Sequence, residues 1–394
     1  MDKLNIGIIG AGNISATYFE LSPLFKRLNI TSVADLNLPL ARKAAEAWQV
    51  IAQTPEDMLA DPSIDLIVNL TVPAAHYPVS KAALLAGKHV YSEKPFVLSL
   101  AEGQELAEIA SAKGLRLGSA PDTFLGGSHQ QARALIDAGA IGRVHSATAH
   151  VMSPGMEHWH PNPDFFFLPG GGPILDLGPY YITNFVSLLG PVARVTALTG
   201  MASTERVIGS EPRAGERIPV KTPTTIHALL QFASGAMVTM GASWDVHGHK
   251  HGNMEIYGSE GSLILPDPNF FGGSLELAKR GEKLAEVQMW DHPFAIPNQS
   301  QNGTPRANYR AAGLADMARA ICEGGDFLCD QSRALHVIEV MTAILQAGES
   351  GSWVTLTTTC DRPAALDPEA ARELLVQDQA VPHRGKPLAI HASE

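Results

Sequence analysis

The chain has 394 residues, 45% hydrophobic and 18% charged, enough for two domains of ordinary size with substantial cores. A formal net charge of −11 argues against a phosphate-backbone partner, so nucleic acid is set aside, and no apolar run approaches the ~20 residues of a bilayer span, so no membrane is expected. Cys322, Cys329 and Cys360 are an odd set without C-x-x-C spacing, and the opening MDKLNIGIIG leaves no room for an export signal; both point to a reducing cytoplasm.

LNIGIIG reads as a strand of branched residues, with a helix from Ile14 to Arg27 behind it. ITSVADL is a second strand and Pro39 to Trp48 a helix. DLIVNLTV is a continuous apolar strand of the kind buried on both faces of a parallel sheet. PVSKAALLAG has helical spacing with a glycine stop, KHVYSEKP is another strand, and after a helix from Leu100 to Lys113 the alternation ends at LRLGSAP. This succession predicts an α/β chain whose residues 1–121 form a Rossmann-type, doubly wound parallel sheet.

Beyond it the texture changes. TTIHALLQFASGAMVTMGASW runs with period two around a Ser-Gly turn, which is a hairpin signal. Further strands fall near GNMEIYGSEGSLILP and GGSLELAKRG, and helices near Asn308 to Glu323 and Gln331 to Gln346. Residues 122–360 are therefore expected to form an α+β domain on an open, largely antiparallel sheet. The proline-, alanine- and charge-rich segment 361–394 reads as a tail or a subunit-wrapping arm.

GIIGAGNIS carries Gly10 and Gly12, with Ser15 where the dinucleotide fingerprint has a third glycine or alanine. It follows a predicted strand and opens a predicted helix, whose first residues, Asn13 and Ile14, would present N–H groups to a pyrophosphate. Asp35 follows Ser15 by 20 residues, at the end of the second strand. Its carboxylate suits the hydroxyls of an adenosine ribose and repels a 2′-phosphate, so NAD is expected as cofactor in preference to NADP. The bland alternative is a tight turn and a turn aspartate.

YSEKPF places Glu93 and Lys94 at the end of a strand, where doubly wound sheets bind ligands, and Pro95 restricts the conformation of Lys94. With GIIGAGNIS, TVPAAHYPVSKAALLAGKHVYSEKP, GAIGRVHSATAHV and GGGPILDLGPYYITNFVSLLG in this order, the chain resembles the Gfo/Idh/MocA oxidoreductases, the group that includes glucose-fructose oxidoreductase and inositol dehydrogenase. The resemblance implies that Lys94 contacts both nicotinamide and the reacting hydroxyl. It also implies that Thr71, Pro73 and His76 line the nicotinamide end of the site, although one extra residue, Val72, precedes the proline. Oligomer formation through the exposed face of the second sheet, as a homodimer or homotetramer, is expected on the same ground.

The family's D-x-x-x-H appears here as Asp176 followed by Tyr180, so the resemblance gives Asp176 the substrate and Tyr180 the proton-accepting role. Residues i and i+4 share a helix face, whereas Tyr181 points about 100° away. A phenol titrates near 10 and needs a cation within about 4 to 6 Å to serve as base at neutral pH. The plainer alternatives are an N-cap for Asp176 and a core aromatic for Tyr180.

MEHWHPNPDFFFLP forms a long loop with His158, Trp159 and His160, whose aromatic faces and imidazoles suit a sugar or polyol. Phe165, Phe166 and Phe167 read as packing residues of a domain interface, and Asp122 as an acceptor for a hydroxyl of a neutral substrate. His247, His249 and His251 alternate in DVHGHKH, yet no acidic ligand completes a set and no metal is expected. His247 and Trp244 are further candidates to approach substrate. The leading expectation is an NAD-dependent dehydrogenase acting on a secondary hydroxyl of a sugar, sugar derivative or inositol. An NAD-dependent glycosidase working through transient oxidation, or a non-catalytic NAD-binding regulator, are the alternatives.

Overall fold

The computed structural model describes residues 3–301 and 303–376. They fall into two compact units.

The first unit starts as read from the sequence. Strands β1 (Leu4–Ile9), β2 (Leu28–Ala34), β3 (Ile51–Gln53), β4 (Leu66–Asn69), β5 (His89–Ser92) and β6 (Leu117–Ser119) form one sheet in the order β3-β2-β1-β4-β5-β6. Every pairing in it is parallel. The crossovers are α1 (Asn13–Leu21), α2 (Leu38–Trp48), α3 (Pro55–Ala60), α4 (Pro73–Leu85) and α5 (Leu100–Ala112). All four residues of β4 are buried, as a strand covered on both faces requires. α5 begins with a capping box between Ser99 and Glu102, which satisfies amides that the first turn would otherwise leave unpaired.

The second unit opens with α6 (Gly127–Asp137), β7 (Val144–Met152), the short α7 (Pro173–Asp176) and α8 (Gly178–Leu189). It continues through β8 (Val192–Gly200), the small hairpin β9 (Glu205–Val207) and β10 (Arg217–Pro219), β11 (Thr225–Phe232), β12 (Met237–Ser243), β13 (Met254–Gly258), β14 (Gly261–Leu265), β15 (Glu276–Lys279) and β16 (Ala285–Glu286). A second hairpin, β17 (Gln299–Gln301) and β18 (Thr304–Arg306), follows. The chain ends its described course with α9 (Ala312–Glu323), α10 (Gln331–Ser350), β19 (Val354–Thr355) and α11 (Pro368–Leu374). The large sheet has nine strands in the order β16-β15-β14-β13-β7-β12-β11-β8-β19. It is antiparallel except for β7 with β12, which run parallel.

β11 shows why one face of this sheet is closed and the other open. Ile226, Ala228, Leu230 and Phe232 are buried, while His227 and Leu229 between them are exposed. All twelve residues of α8 are buried, and α8 packs on β7.

The two units are not successive segments. Residues 309–338 and 366–376 belong to the first unit and residues 339–365 to the second, so the boundaries 1–121, 122–360 and 361–394 do not follow the packing. The reason is backbone pairing at long range. Gly118 of β6 bridges Asp330, Ser119 N–H bonds Cys329 O at 3.0 Å, and Lys26 N–H bonds Leu374 O at 3.0 Å. Residues 361–376 thus include an ordered helix, and the rest of the expected arm, 377–394, lies outside the described residues.

Candidate functional site

In the first unit the candidate residues follow the carboxyl ends of successive strands. Asp35 follows β2, Gly10 follows β1, Thr71 follows β4, Lys94 follows β5 and Asp122 follows β6, in the spatial order of the sheet. This is the edge at which open α/β sheets bind ligands.

Gly10 has φ +108°, and a Cβ there would sit 2.6 Å from the Leu70 carbonyl, so only glycine lets the turn pass so close to β4. A Cβ on Gly12 would meet nothing within 4 Å, and α1 begins there with no side-chain cap. A helix N-terminus at Asn13 and Ile14 with no side-chain cap and room at the preceding glycine fits a pyrophosphate. Ser15 turns inward, its hydroxyl donating to Gly12 O at 2.7 Å. Asp35 is tied to the loop: Oδ2 accepts from Ala11 N–H at 2.9 Å and Oδ1 from Asn37 N–H at 2.8 Å. Each oxygen retains a lone pair for a ribose hydroxyl.

The lysine turn is held from several sides. The Lys94–Pro95 peptide is cis. Lys94 N–H donates to Glu93 Oε2 at 2.8 Å, and Glu93 Oε1 accepts from the Tyr18 hydroxyl of α1 at 3.1 Å. His76, 1% exposed, directs Nδ1 at Pro95 O (2.6 Å) and Nε2 at Thr71 O (2.9 Å), so one imidazole links the lysine turn to the turn after β4. Burial holds that imidazole below its ordinary value, and the two carbonyls offset part of the shift. Asn69, fully buried at the end of β4, accepts from the Thr71 hydroxyl at 2.7 Å and donates to His76 O at 2.9 Å. Tyr18 and Asn69 carry no motif. An asparagine closing the apolar run LIVN is the one signal that could have singled out the second.

Asp122 has a different occupation from the one its sequence position suggests. It is 2% exposed, and Oδ2 accepts from Gly313 N–H at 3.1 Å, at the start of α9. The cap residue of that helix, Ala311, has no side chain able to cap and adopts φ +85°, so Asp122 takes the capping role from another part of the chain. Burial pushes its carboxyl up to about 6, with the Gly313 and Ala311 amides and Arg310 opposing.

In the second unit, Asp176 ends α7 and Tyr180 lies in the first turn of α8; Leu177, with right-handed helical φ and ψ, joins them. Leu177 is the N-cap of α8, so Asp176 is not. Tyr180 is 9% exposed. The preceding loop is an aromatic cluster centred on His160, with ring centroids 5.4 Å from Trp159, 5.6 Å from Phe165 and 5.2 Å from Phe166, all edge-on. His160 Nδ1 accepts from Asn162 N–H at 3.1 Å, which leaves Nε2 as the donor of the neutral ring. Burial lowers the pKa of His160, and the charge of Asp176, within electrostatic reach, opposes that shift. His158, Trp159 and Phe165 are exposed.

Two expectations need correcting. Trp244 does not face a ligand: it is wholly buried in a cluster with Phe167, Ile208, Ile218 and Val220. Phe166 and Phe167 pack on that tryptophan inside the second unit. The histidine run stacks: His251 lies 3.9 Å from His150 and 5.9 Å from His249, ring to ring. Among the described residues, no group of three or more His, Cys, Asp or Glu side chains converges as a metal site would require, and no helix is long and apolar enough to cross a membrane.

A parallel sheet with a glycine turn after its first strand and a carboxylate after its second has the form of a dinucleotide-binding unit. Residues 4–120 match the model of an oxidoreductase family with an NAD-binding Rossmann fold, and residues 129–264 match the GFO/IDH/MocA C-terminal domain. The chain belongs to the Gfo/Idh/MocA oxidoreductase family. It is 30% identical over 271 residues to dTDP-3,4-didehydro-2,6-dideoxy-alpha-D-glucose 3-reductase of Streptomyces violaceoruber, covering 66% of this chain and 72% of that one. It is 24% identical over 391 residues to levoglucosan dehydrogenase of Pseudarthrobacter phenanthrenivorans, covering 90% and 98%. The solved structure of a levoglucosan dehydrogenase with NADH and L-sorbose superposes with TM-score 0.76 at 22% identity, covering 91% of this chain and all of the other.

Proposed function

We propose that the protein is an NAD-dependent dehydrogenase that oxidises a secondary hydroxyl of a neutral sugar, sugar derivative or inositol. The observation that carries this reading is the Lys94 turn, fixed by Glu93, Tyr18 and His76 at the carboxyl edge of an NAD-binding sheet. Bound NAD supplies the hydride acceptor. Gly10, Gly12, Asn13 and Ile14 hold the pyrophosphate, Asp35 the adenosine ribose, and Thr71, Pro73, His76, Glu93 and Lys94 the nicotinamide end. Lys94 donates to the reacting oxygen and stabilises the negative charge that develops on it. Tyr180, entering the step as phenolate, accepts the hydroxyl proton and becomes the neutral phenol. Asp176 accepts from a neighbouring hydroxyl, and His158, Trp159 and His160 embrace the ring, the neutral Nε2–H of His160 as donor.

The carboxylate of Asp176 favours an uncharged substrate, and the name of one relative speaks of levoglucosan, a neutral sugar. Leu198, Leu229 and Met237, exposed by 76%, 48% and 60%, give the open sheet face an apolar character suited to a homodimer or homotetramer. The test is nicotinamide absorbance with NAD across free sugars, anhydrosugars, inositols and sugar acids. Reduction with a neutral member of the panel supports the reading. Reduction only with the acids, or release of sugar from a chromogenic glycoside without NADH accumulation, contradicts it.

A further inference from the structure

The loop carrying His158, Trp159 and His160 is anchored by a residue that no motif marks. The loop itself is a tight turn, in which Trp159 N–H and His160 N–H both bond Met156 O, at 3.2 and 2.9 Å. The segment between β9 and β10 grips it from outside: Gly209 N–H bonds Glu157 O at 2.8 Å, and the Ser210 hydroxyl bonds His160 O at 2.7 Å. The side chain of Glu157 meets Arg206 of β9, with Nη1 3.0 Å from Oε1.

The other arm of that guanidinium pairs with Asp245 and donates to Trp244 O at 3.2 Å. Asp245 is itself fixed, since Oδ2 accepts from the hydroxyls of Thr224 (2.7 Å) and Thr225 (2.6 Å) at the start of β11. The guanidinium also lies 5.5 Å from the centre of the Phe167 ring. The side chains of Arg206, Glu157 and Asp245 are 13%, 11% and 9% exposed. One cation thus joins two nearly buried carboxylates, one on the loop and one just beyond the end of β12.

We propose that Arg206 is a positioning residue for substrate binding, holding the turn 156–160, and with it His158, Trp159 and His160, against the sheet through the Glu157–Arg206–Asp245 bridge. This rests on the reading of that loop as the sugar-binding element. Arginine is needed because a planar fork with five donors serves two carboxylates and a carbonyl at once, which the single ammonium of lysine cannot do in the same geometry. Without the guanidinium, two carboxylates face each other away from water, and the loop is the partner free to leave.

The experiment compares wild type with Arg206→Lys, Arg206→Met and Glu157→Gln. The last removes only the charge on the loop and leaves Arg206 paired with Asp245. Amide exchange is followed by mass spectrometry in residues 156–167 and, as internal control, in β11 and β12; NAD affinity and steady-state kinetics are measured on a sugar that wild type oxidises. Exchange in the loop should rise about tenfold or more with the strands unchanged, as expected for local opening. KM for sugar should rise about tenfold while kcat and NAD affinity stay within about twofold, the pattern of lost substrate positioning.

Unchanged loop exchange in all three variants overturns the anchoring role. Faster loop exchange with unchanged KM overturns the link to substrate. If Arg206→Met exposes the strands as well, Glu157→Gln decides between these outcomes. If wild type oxidises no sugar, the proposed function has failed, and thermal or urea unfolding is not a substitute readout: the anchoring claim is then judged on loop exchange alone.

Discussion

Replacing Asp122 by asparagine separates the substrate contact suggested by its sequence position from the helix-capping contact made in the fold. Burial raises this carboxyl from 3.8 to about 6. A raised pKa means that the folded protein retains a proton that the unfolded chain releases, so the stabilisation is complete below the unfolded value and is lost as pH rises through the folded value. A shift of about two units at 1.36 kcal/mol per unit amounts to about 3 kcal/mol, of which about 2 disappears between about pH 4.5 and pH 7.5. The amide introduced by Asp122→Asn does not titrate, so the stability of that variant relative to wild type should improve by about 2 kcal/mol over that interval. His129, which burial pulls down to about 4, contributes with the opposite sign over the same range, but equally in both proteins. The difference between them therefore isolates Asp122. Urea unfolding followed by circular dichroism at both pH values makes the measurement. The same difference at both pH values would refute the reasoning, and a large rise in KM for sugar with unchanged stability would return Asp122 to the substrate.

Other perturbations probe the cofactor edge. Gly10→Ala forces a Cβ to 2.6 Å from the Leu70 carbonyl at φ +108°, and calorimetry should show NAD affinity lowered at least about tenfold. Wild type should bind NAD more tightly than NADP, and Asp35→Ser should narrow the gap about tenfold by removing one negative charge; equal binding of the two cofactors by wild type would contradict the assignment of Asp35. His76→Phe keeps the volume of the ring but loses contact with Pro95 O and Thr71 O, so kcat should fall about tenfold with NAD affinity within about twofold.

The parts legible in the sequence are those written in local pattern. GIIGAGNIS gave the first turn, apolar runs gave the parallel strands, and Ser234-Gly235 gave the β11–β12 hairpin. The short β3 and α3 went unread because three and six residues carry too little periodicity. The parallel partnership of β7 with β12 and the return of residues 309–338 to the first unit are settled by pairing across nearly 100 to 200 residues, which no window of sequence contains. Among the candidate residues, Gly10, Asp35, His76 and Lys94 stand out in the sequence because the chemistry proposed for them needs a residue type at a fixed distance from a strand end. Tyr18 and Arg206 do not, since each acts through partners distant in the chain, and Asn69, whose partners Thr71 and His76 lie within seven residues, belongs to no motif. The capping contact of Asp122 is hidden for a complementary reason: proximity to a strand end shows where a carboxylate starts, but its burial against Gly313 depends on a helix almost 200 residues later.

The most direct measurement compares wild type with Lys94→Ala on one accepted sugar, determining NAD affinity and the rate of NADH formation in a single turnover. Loss of at least about a hundredfold in rate with NAD affinity within about threefold is the expected result, because the pyrophosphate and ribose contacts carry most of the cofactor affinity, whereas Lys94, beside the nicotinamide, acts chiefly on the charge developing on the reacting oxygen. A wild-type rate in Lys94→Ala would contradict the proposed chemistry outright.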